Sequence, residues 1–323
     1  MEIFNLPAHY RLLTILWMFM QLTLGSVAQE AFSPLPEAKR PHLQAVRTTK
    51  KISINGIPDE SAWEAAPVAK CFTTAYPIQG DSATFDTAVK LLYDDKKIYI
   101  SARCNFPAGA KKIQVQDMRR DFSFSNNELF EILIDPFKDP RLPVMAFCVT
   151  PYGTQMDIMH FADLSYDYKW DAVWEAASKI EEHSWTTEVA IPFSSLRYPK
   201  GATEWSINFA RNIRYIGEIN GWSPWPQAYS ESYMAYAGIL TNIQPPSNNT
   251  SLRFEPYTLV NAKKIDKNRP TFKSEFGGEI KYAISSNTLL EATVNTDFAQ
   301  AEVDKQVINL SRSNVFFPEK RQF

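Results

Sequence analysis

The fold is decided by four short segments, which read YDYKW at 166–170, DAVWE at 171–175, WTTEVAIPF at 185–193 and WSINFARNIR at 205–214. Each is rich in aromatic or β-branched residues, and turn residues separate them, which is typical of successive β-strands. Trp205, Ile207 and Phe209 alternate with smaller or polar residues, and Trp185 and Val189 do the same in the third segment. Because strand side chains alternate between faces, these residues are expected to lie on the core face of an antiparallel β-sandwich.

Some aromatic residues fall outside this alternation. Tyr166, Tyr168 and Trp170 follow one another in a polar stretch, and Trp222 and Trp225 lie in a proline-containing loop. The pattern leaves these rings free to face a ligand.

The composition limits the possible functions. The chain has 323 residues, of which 45% are hydrophobic and 13% aromatic, and its net charge is -2. This length allows two domains or one large all-β domain. An acidic balance with a pI of about 6.2 provides no basic field for nucleic acid, so a nucleic-acid partner is excluded.

The N-terminus has the features of an export signal. Arg11 precedes an apolar run from Leu12 to Leu24, and Ser26, Val27 and Ala28 supply small residues at the cleavage positions. We therefore predict a signal peptide over 1–28 and a proline-rich linker over 29–45, and we expect the mature chain to be exported.

Two further regions follow the linker. Residues 46–243 carry the strand-like segments of the sandwich, and a second linker is predicted over 244–250, where Pro245 and Pro246 precede asparagines. In residues 251–323 the runs are about ten residues long and alternate between apolar and polar residues, a pattern typical of transmembrane barrels. An antiparallel sheet in water would give the same pattern.

The middle region resembles a family 9 carbohydrate-binding module. The residues that carry this resemblance are Ile54-Asn55-Gly56, Asp59-Glu60 with Trp63, Glu128 to Asp135, Trp185 to Leu196, and Asn208 to Arg211. The tail resembles the opening of the β-barrel in a family of secreted outer-membrane proteins that carry this module at their N-terminus. The motifs for this second resemblance are Val294 to Asp304 and Phe316 to Arg321.

The resemblance implies an architecture and a partner. The expected fold is all-β: an antiparallel, jelly-roll-like sandwich over 46–243, followed by the N-terminal strands of a barrel that is truncated at Phe323. The expected partner is an oligo- or polysaccharide, with the barrel providing contact with the outer membrane. The expected location is the periplasm or outer membrane of a Gram-negative-type bacterium. About four strands cannot close a barrel, so a small water-exposed sheet is the alternative for the tail.

Saccharide binding requires flat aromatic faces for the sugar ring and hydrogen-bonding groups for its hydroxyls. The candidate residues for the aromatic platform are Trp170, Trp174, Trp222 and Trp225. The candidate polar partners are Asn208, Arg211 and Arg214. Core packing is the alternative for Trp174, and it is the expectation for Trp185 and Trp205, which follow the buried alternation.

The resemblance also suggests one cofactor. Modules of this family can hold structural calcium, and Asp163, Asp167 and Asp171 would supply oxygen ligands from a loop. No EF-hand spacing is present, so these residues are alternatively turn and cap residues.

The sequence therefore predicts non-catalytic carbohydrate binding in polysaccharide capture or catabolism. One alternative is a glycoside hydrolase, for which Glu128, Glu131 and Glu188 are among the available carboxyl groups. The other alternative is a structural plug, in which the sandwich packs on its own barrel and buries Trp222 and Trp225.

Overall fold

The computed structural model describes residues 36–107, 113–139, 141–161, 165–246, 252–263, 271–285 and 288–295. The chain divides into two units, Met1–Asn248 and Asn249–Phe323. The predicted signal peptide lies outside the described residues, and so does the first part of the predicted linker over 29–45. The remainder of that linker is described below as part of the sandwich.

The first unit is built from short strands. In the described ranges they are β1 (His42–Gln44), β2 (Val46–Arg47), β3 (Val68–Ala69), β4 (Thr73–Tyr76), β5 (Thr87–Tyr93), β6 (Lys97–Asn105), β7 (Leu129–Asp135), β8 (Val144–Val149), β9 (Gln155–His160), β10 (Tyr166–Asp167), β11 (Glu175–Ile180), β12 (Ser184–Pro192), β13 (Trp205–Ile213), β14 (Glu218–Gly221) and β15 (Gly238–Thr241). Single 3-10 turns occur at Glu37–Lys39, Ser61–Ala65, Phe124–Asn126, Phe193–Ser195 and Met234–Tyr236.

These strands form two sheets, which confirms the predicted all-β sandwich. The larger sheet has the order β1-β15-β13-β7-β8-β9-β10, with β14 pairing both β13 and β4. The smaller sheet has the order β11-β12-β6-β5-β2, with β3 pairing β5. Nearly all neighbours are antiparallel, but β1 pairs β15 and β2 pairs β5 in parallel. Residues 42–44 were predicted to be linker, yet they form β1, because Leu43 and Ala45 are apolar enough to be buried there.

The main core lies between the two sheets. It contains Phe130 and Ile132 from the larger sheet and Val189 from the smaller sheet, all with no exposed surface. Trp185 and Trp205 are also fully buried, as the alternation predicts. Burial of each such side chain contributes about 1.5–3 kcal/mol to folding.

A second core covers the outer face of the larger sheet. Leu133, Ala146 and Ile158 point outward from β7, β8 and β9, where the loop after β14 packs Trp225 and Met234 over them. The larger sheet is therefore buried on both faces, which explains why β7, β8 and β13 carry long uninterrupted runs of buried residues.

The second unit is an antiparallel sheet of β16 (Leu252–Lys263), β17 (Thr271–Ser285) and β18 (Thr288–Val294) within the described residues. The register pairs Phe254 with Ile280 and Ile280 with Ala292, so apolar residues share one face. The other face pairs Lys281 with Glu291. Among the described residues, no helix has both the length and the apolar character needed to span a membrane.

Candidate functional site

The Trp222–Trp225 loop packs inward instead of facing solvent. Trp222 lies in the core between the sheets, where its ring centroid is 5.6 Å from that of Phe209, and Trp225 lies in the outer core. Only 6% of Trp222 and 4% of Trp225 is exposed. The two rings pack against the sandwich itself, so neither offers a face to a saccharide, contrary to the prediction.

Trp174 and Trp170 pack beside one another on Phe147. Their ring centroids lie 5.3 Å and 5.7 Å from that of Phe147, both in edge-on geometry. Trp174 is buried, and its indole Nε1 donates to Asp157 Oδ1 at 3.3 Å. Trp174 is therefore a core residue, which was the alternative interpretation of the sequence. Trp170 is only partly buried and is the one predicted platform tryptophan with an accessible surface.

The predicted polar partners are not brought together either. Asn208 is buried and holds the Trp222–Trp225 loop, because its amide donates to Ser223 O at 3.0 Å and accepts from Ser223 N at 2.9 Å. Arg211 is fully buried on the other face of β13, where its Nη2 lies 3.1 Å from Glu128 Oε1. Arg214 is exposed and lies in the turn after β13. Asn208 and Arg211 stabilise the fold and are closed to a ligand as they lie here.

Two exposed tyrosines and the partly exposed Trp170 lie within residues 166–174, which we call the aromatic segment. Tyr166 is 39% exposed and Tyr168 is 56% exposed, and their ring centroids are 6.0 Å apart. Tyr166 and Asp167 form β10 and pair with the end of β9, which fixes the start of the segment at the edge of the larger sheet. The segment thus presents two tyrosines and part of Trp170 to solvent.

Arg120 holds the end of the aromatic segment in place. Its Nη2 lies 2.5 Å from Asp157 Oδ1 and 3.0 Å from Asp171 Oδ1, and it donates to Ala172 O at 3.3 Å. Its Nη1 donates to Gln155 Oε1 at 3.1 Å. Arg120 and Asp171 remain substantially exposed, so they leave hydrogen-bonding groups beside the aromatic rings.

Asp157 is the buried member of this cluster. Its Oδ2 accepts from Ala172 N at 2.5 Å, so the same carboxyl group binds both Arg120 and the backbone of the segment. Burial raises the pKa of Asp157, although the hydrogen bond from Ala172 and the charge of Arg120 act in the opposite direction. Sequence reasoning missed both Arg120 and Asp157, because they are distant in sequence and show no motif.

Of the predicted calcium ligands, Asp167 and Asp171 each have a partner within the protein. Asp163 lies outside the described residues, Asp167 accepts from Lys169 N at 2.9 Å within its own turn, and Asp171 is paired with Arg120. Across the described ranges, no group of three or more His, Cys, Asp or Glu side chains is placed to hold a metal ion. Asp167 therefore acts as a turn residue, which was the alternative that the sequence left open. Asp171 forms an ion pair with the guanidinium group of Arg120.

A buried polar cluster lies beneath the tyrosines. The ring centroid of Tyr166 is 4.8 Å from that of His160, and His160 Nε2 lies 3.9 Å from Glu131 Oε1. Cys148 Sγ contacts the same oxygen at 3.7 Å. Among the residues that the structure describes, none is a hydrogen-bond partner for either ring nitrogen of His160 or for Glu131 Oε2.

Burial controls the protonation of this cluster. It raises the pKa of Glu131 well above its usual value, with the charge of Glu231 adding to the increase, and it lowers the pKa of His160 to about 4. His160 is therefore expected to be uncharged near neutral pH, because an imidazolium would be poorly solvated there. The alternation of β7 and β9 predicted strands, but it did not indicate that Glu131 and His160 would meet.

Comparison with known proteins supports the fold. A family model described as a domain of unknown function, DUF5916, matches residues 248–323, which is less than half of the chain. No curated protein matches the chain. A crystal structure of a candidate carbohydrate-binding protein from Bacteroides uniformis aligns with 12% identity and a TM-score of 0.52, covering 63% of this chain and 99% of that one.

Two further solved structures are family 9 carbohydrate-binding modules from Caldicellulosiruptor kristjanssonii. The complex with glucose has 14% identity and a TM-score of 0.42, covering 64% of this chain and 98% of that one. The complex with cellotriose has 15% identity and a TM-score of 0.41, covering 65% of this chain and 96% of that one. At these identities the comparisons concern the fold alone, and among these three structures it is the Bacteroides uniformis protein, with its TM-score of 0.52, that supports the fold.

Proposed function

We propose that the first unit binds oligo- or polysaccharides without cleaving them and that the aromatic segment is the contact surface. The observation that carries this proposal is the 56% exposure of Tyr168 on the same segment as the accessible part of Trp170. Amphipathic rings of this kind are suited to the apolar face of a sugar, and the exposed Arg120–Asp171 pair supplies donors and acceptors for hydroxyl groups. The description of the Bacteroides uniformis protein as carbohydrate-binding agrees with this proposal.

The two carboxyl groups that bind Arg120 favour binding over hydrolysis. A glycosidase requires two carboxyl groups on opposite sides of the scissile bond, one of them free to act as an acid. Asp157 and Asp171 instead bind the same guanidinium of Arg120, so both contact one cation and lie on the same side of the site.

Titration calorimetry with a panel of neutral oligosaccharides that includes glucose and cellotriose tests the proposal. We expect Tyr168→Ala to weaken binding by about tenfold or less, because a well-placed aromatic contact contributes about 0.5–1.5 kcal/mol. Tyr152→Ala is the matched control, since Tyr152 is 51% exposed in the turn at the far end of β9. The proposal is wrong if no saccharide gives a binding signal, or if both variants weaken binding equally.

We also propose that the second unit anchors the chain to an outer membrane, which agrees with the predicted export. The supporting observation is the apolar face of its sheet, on which Phe254, Phe276 and Val294 are 65%, 73% and 71% exposed. A continuous apolar sheet face is unusual in contact with water and is suited to lipid hydrocarbon.

A further inference from the structure

A second pair of exposed tyrosines lies in the loop between Trp225 and β15. The rings of Tyr229 and Tyr233 are stacked, with centroids 4.8 Å apart and an interplanar angle of 11°. Two successive turns produce this arrangement, since Tyr229 N donates to Pro226 O and Tyr233 N donates to Ser230 O. Tyr229 is 37% exposed and Tyr233 is partly exposed, so both tyrosines of the stack are accessible to solvent.

Both tyrosine pairs lie over the outer face of the larger sheet. Tyr233 packs against the outer core that contains Cys148 and Ile158, from β8 and β9. Tyr166 packs on His160, which is the last residue of β9. The two pairs therefore occupy neighbouring parts of one surface, although more than sixty residues separate them in the chain.

The buried cluster beneath Tyr166 links the two pairs. Cys148 belongs to the outer core under Tyr233, and its Sγ lies 3.7 Å from Glu131 Oε1. His160, which packs on Tyr166, lies 3.9 Å from the same oxygen through its Nε2. Glu231 is located between Tyr229 and Tyr233 in the sequence, and its charge raises the pKa of Tyr168 and of Glu131, which agrees with this proximity.

We infer that the saccharide surface extends from Tyr166 and Tyr168 past Glu231 to Tyr229 and Tyr233, and that its ligand is a glycan chain of several sugar units lying along this face. The inference rests on the proposed function and specifies its ligand class. A chain that contacts the first pair brings its next units to the second pair at high effective concentration, so affinity increases with chain length.

The test measures affinity as a function of chain length in the full chain. The probes are glucose and gluco-oligosaccharides of about two to six units, in both β-1,4 and α-1,4 linkages, titrated by calorimetry. We expect affinity to increase by about tenfold from the shortest to the longest ligand that binds, which corresponds to about 1.4 kcal/mol. Tyr229→Ala should abolish that increase, whereas Tyr168→Ala should weaken binding at every length.

Two further variants separate binding from folding. Tyr229→Phe keeps the ring and should retain the increase with chain length, and Tyr152→Ala should behave as the unaltered chain. Affinity that does not depend on length, or an unchanged length dependence in Tyr229→Ala, would overturn the inference and leave the proposed function standing. If the unaltered chain binds none of these sugars, the proposed function fails, and the inference fails with it.

Discussion

At the scale of single residues, burial determines what each charged side chain does. Arg211 was predicted to contact a ligand, but its Nη2 lies 3.1 Å from Glu128 Oε1, and Trp185 Nε1 donates to the same oxygen at 3.0 Å. All three side chains are in the interior, where an unpaired charge would be strongly destabilising. The ion pair between Arg211 and Glu128 therefore has a structural role in the sandwich, because each charge compensates the other where water is excluded.

Asp135 gives a prediction about pH. Its Oδ1 accepts from Phe137 N at 2.9 Å and Lys138 N at 3.1 Å, but burial is the larger effect and raises its pKa from 3.8 to about 6. The folded chain therefore holds this proton more tightly than the unfolded chain does. The stability that this proton contributes is fully present below about pH 4, and it is lost as the pH rises through about 6. The loss is up to about 3 kcal/mol, since one pKa unit corresponds to about 1.4 kcal/mol.

Asp135→Asn should remove this component of the pH dependence. The measurement is urea unfolding of the unaltered chain and of Asp135→Asn between pH 4 and pH 7. The difference between their free energies of unfolding, followed against pH, gives this component. Asp117→Asn is the matched control, because the side chain of Arg119 lowers the pKa of Asp117 and Asp117 does not act on Asp135. Parallel curves for the unaltered chain and Asp135→Asn would contradict the prediction.

At the scale of structural elements, the loop after β14 determines how the sheet edge is closed. Trp222 enters the inner core and Trp225 the outer core, so the loop packs against both faces of the larger sheet. Two glycines make room for the indole rings. A Cβ on Gly221 would lie within 3.0 Å of several Trp225 ring atoms, and a Cβ on Gly238 would be equally close to Trp222.

Gly221→Ala is therefore expected to lower the free energy of unfolding by about 1–3 kcal/mol through overpacking. Gly221→Ala should lower the free energy of unfolding by a smaller amount in a Trp225→Leu background, because the three nearest contacts of the added Cβ are with the Trp225 ring. Denaturant titrations of the four chains in this double-mutant cycle measure the difference. An equal loss of stability in both backgrounds would show that the Trp225 ring is not what the added Cβ overlaps.

At the scale of the whole molecule, the two units differ in how far their apolar residues are buried. The first unit encloses them in cores on both faces of its larger sheet. The second unit leaves an apolar face exposed on β16–β18, while Glu255, Glu279 and Lys281 lie on the opposite face, where Lys281 pairs with both glutamates.

The anchoring proposal predicts that the full chain floats with phosphatidylcholine vesicles in a density gradient. Phe254→Lys with Phe276→Lys should lower the vesicle-bound fraction, because a lysine in contact with hydrocarbon costs up to about 2–4 kcal/mol. Glu279→Lys is the control, since it changes the charge of the opposite face. Flotation that is equal for all variants, or absent for the unaltered chain, would contradict membrane contact through this face.

Several features could be predicted from the sequence because they depend on local periodicity. The alternation around Trp185 and Trp205 predicted their burial, and the all-β sandwich is confirmed. The Asn55-Gly56 turn, which helped to carry the family resemblance, has a structural role. The N–H groups of Asn55 and Gly56 donate to Glu188 Oε2 at 3.1 Å and 3.0 Å.

The amino-acid sequence by itself determined the strands, their core-facing residues and the composition of the aromatic segment, because a period of two is a property of neighbouring residues. Only the tertiary structure decided which rings remain exposed. Trp222 and Trp225 looked free in the sequence, but Gly238, which accommodates Trp222, and the cores that cover both rings come from other parts of the chain. Likewise, Arg120 reaches Asp157 and Asp171 only after β9 and the aromatic segment have come together, since contacts between residues so far apart in the chain leave no local pattern.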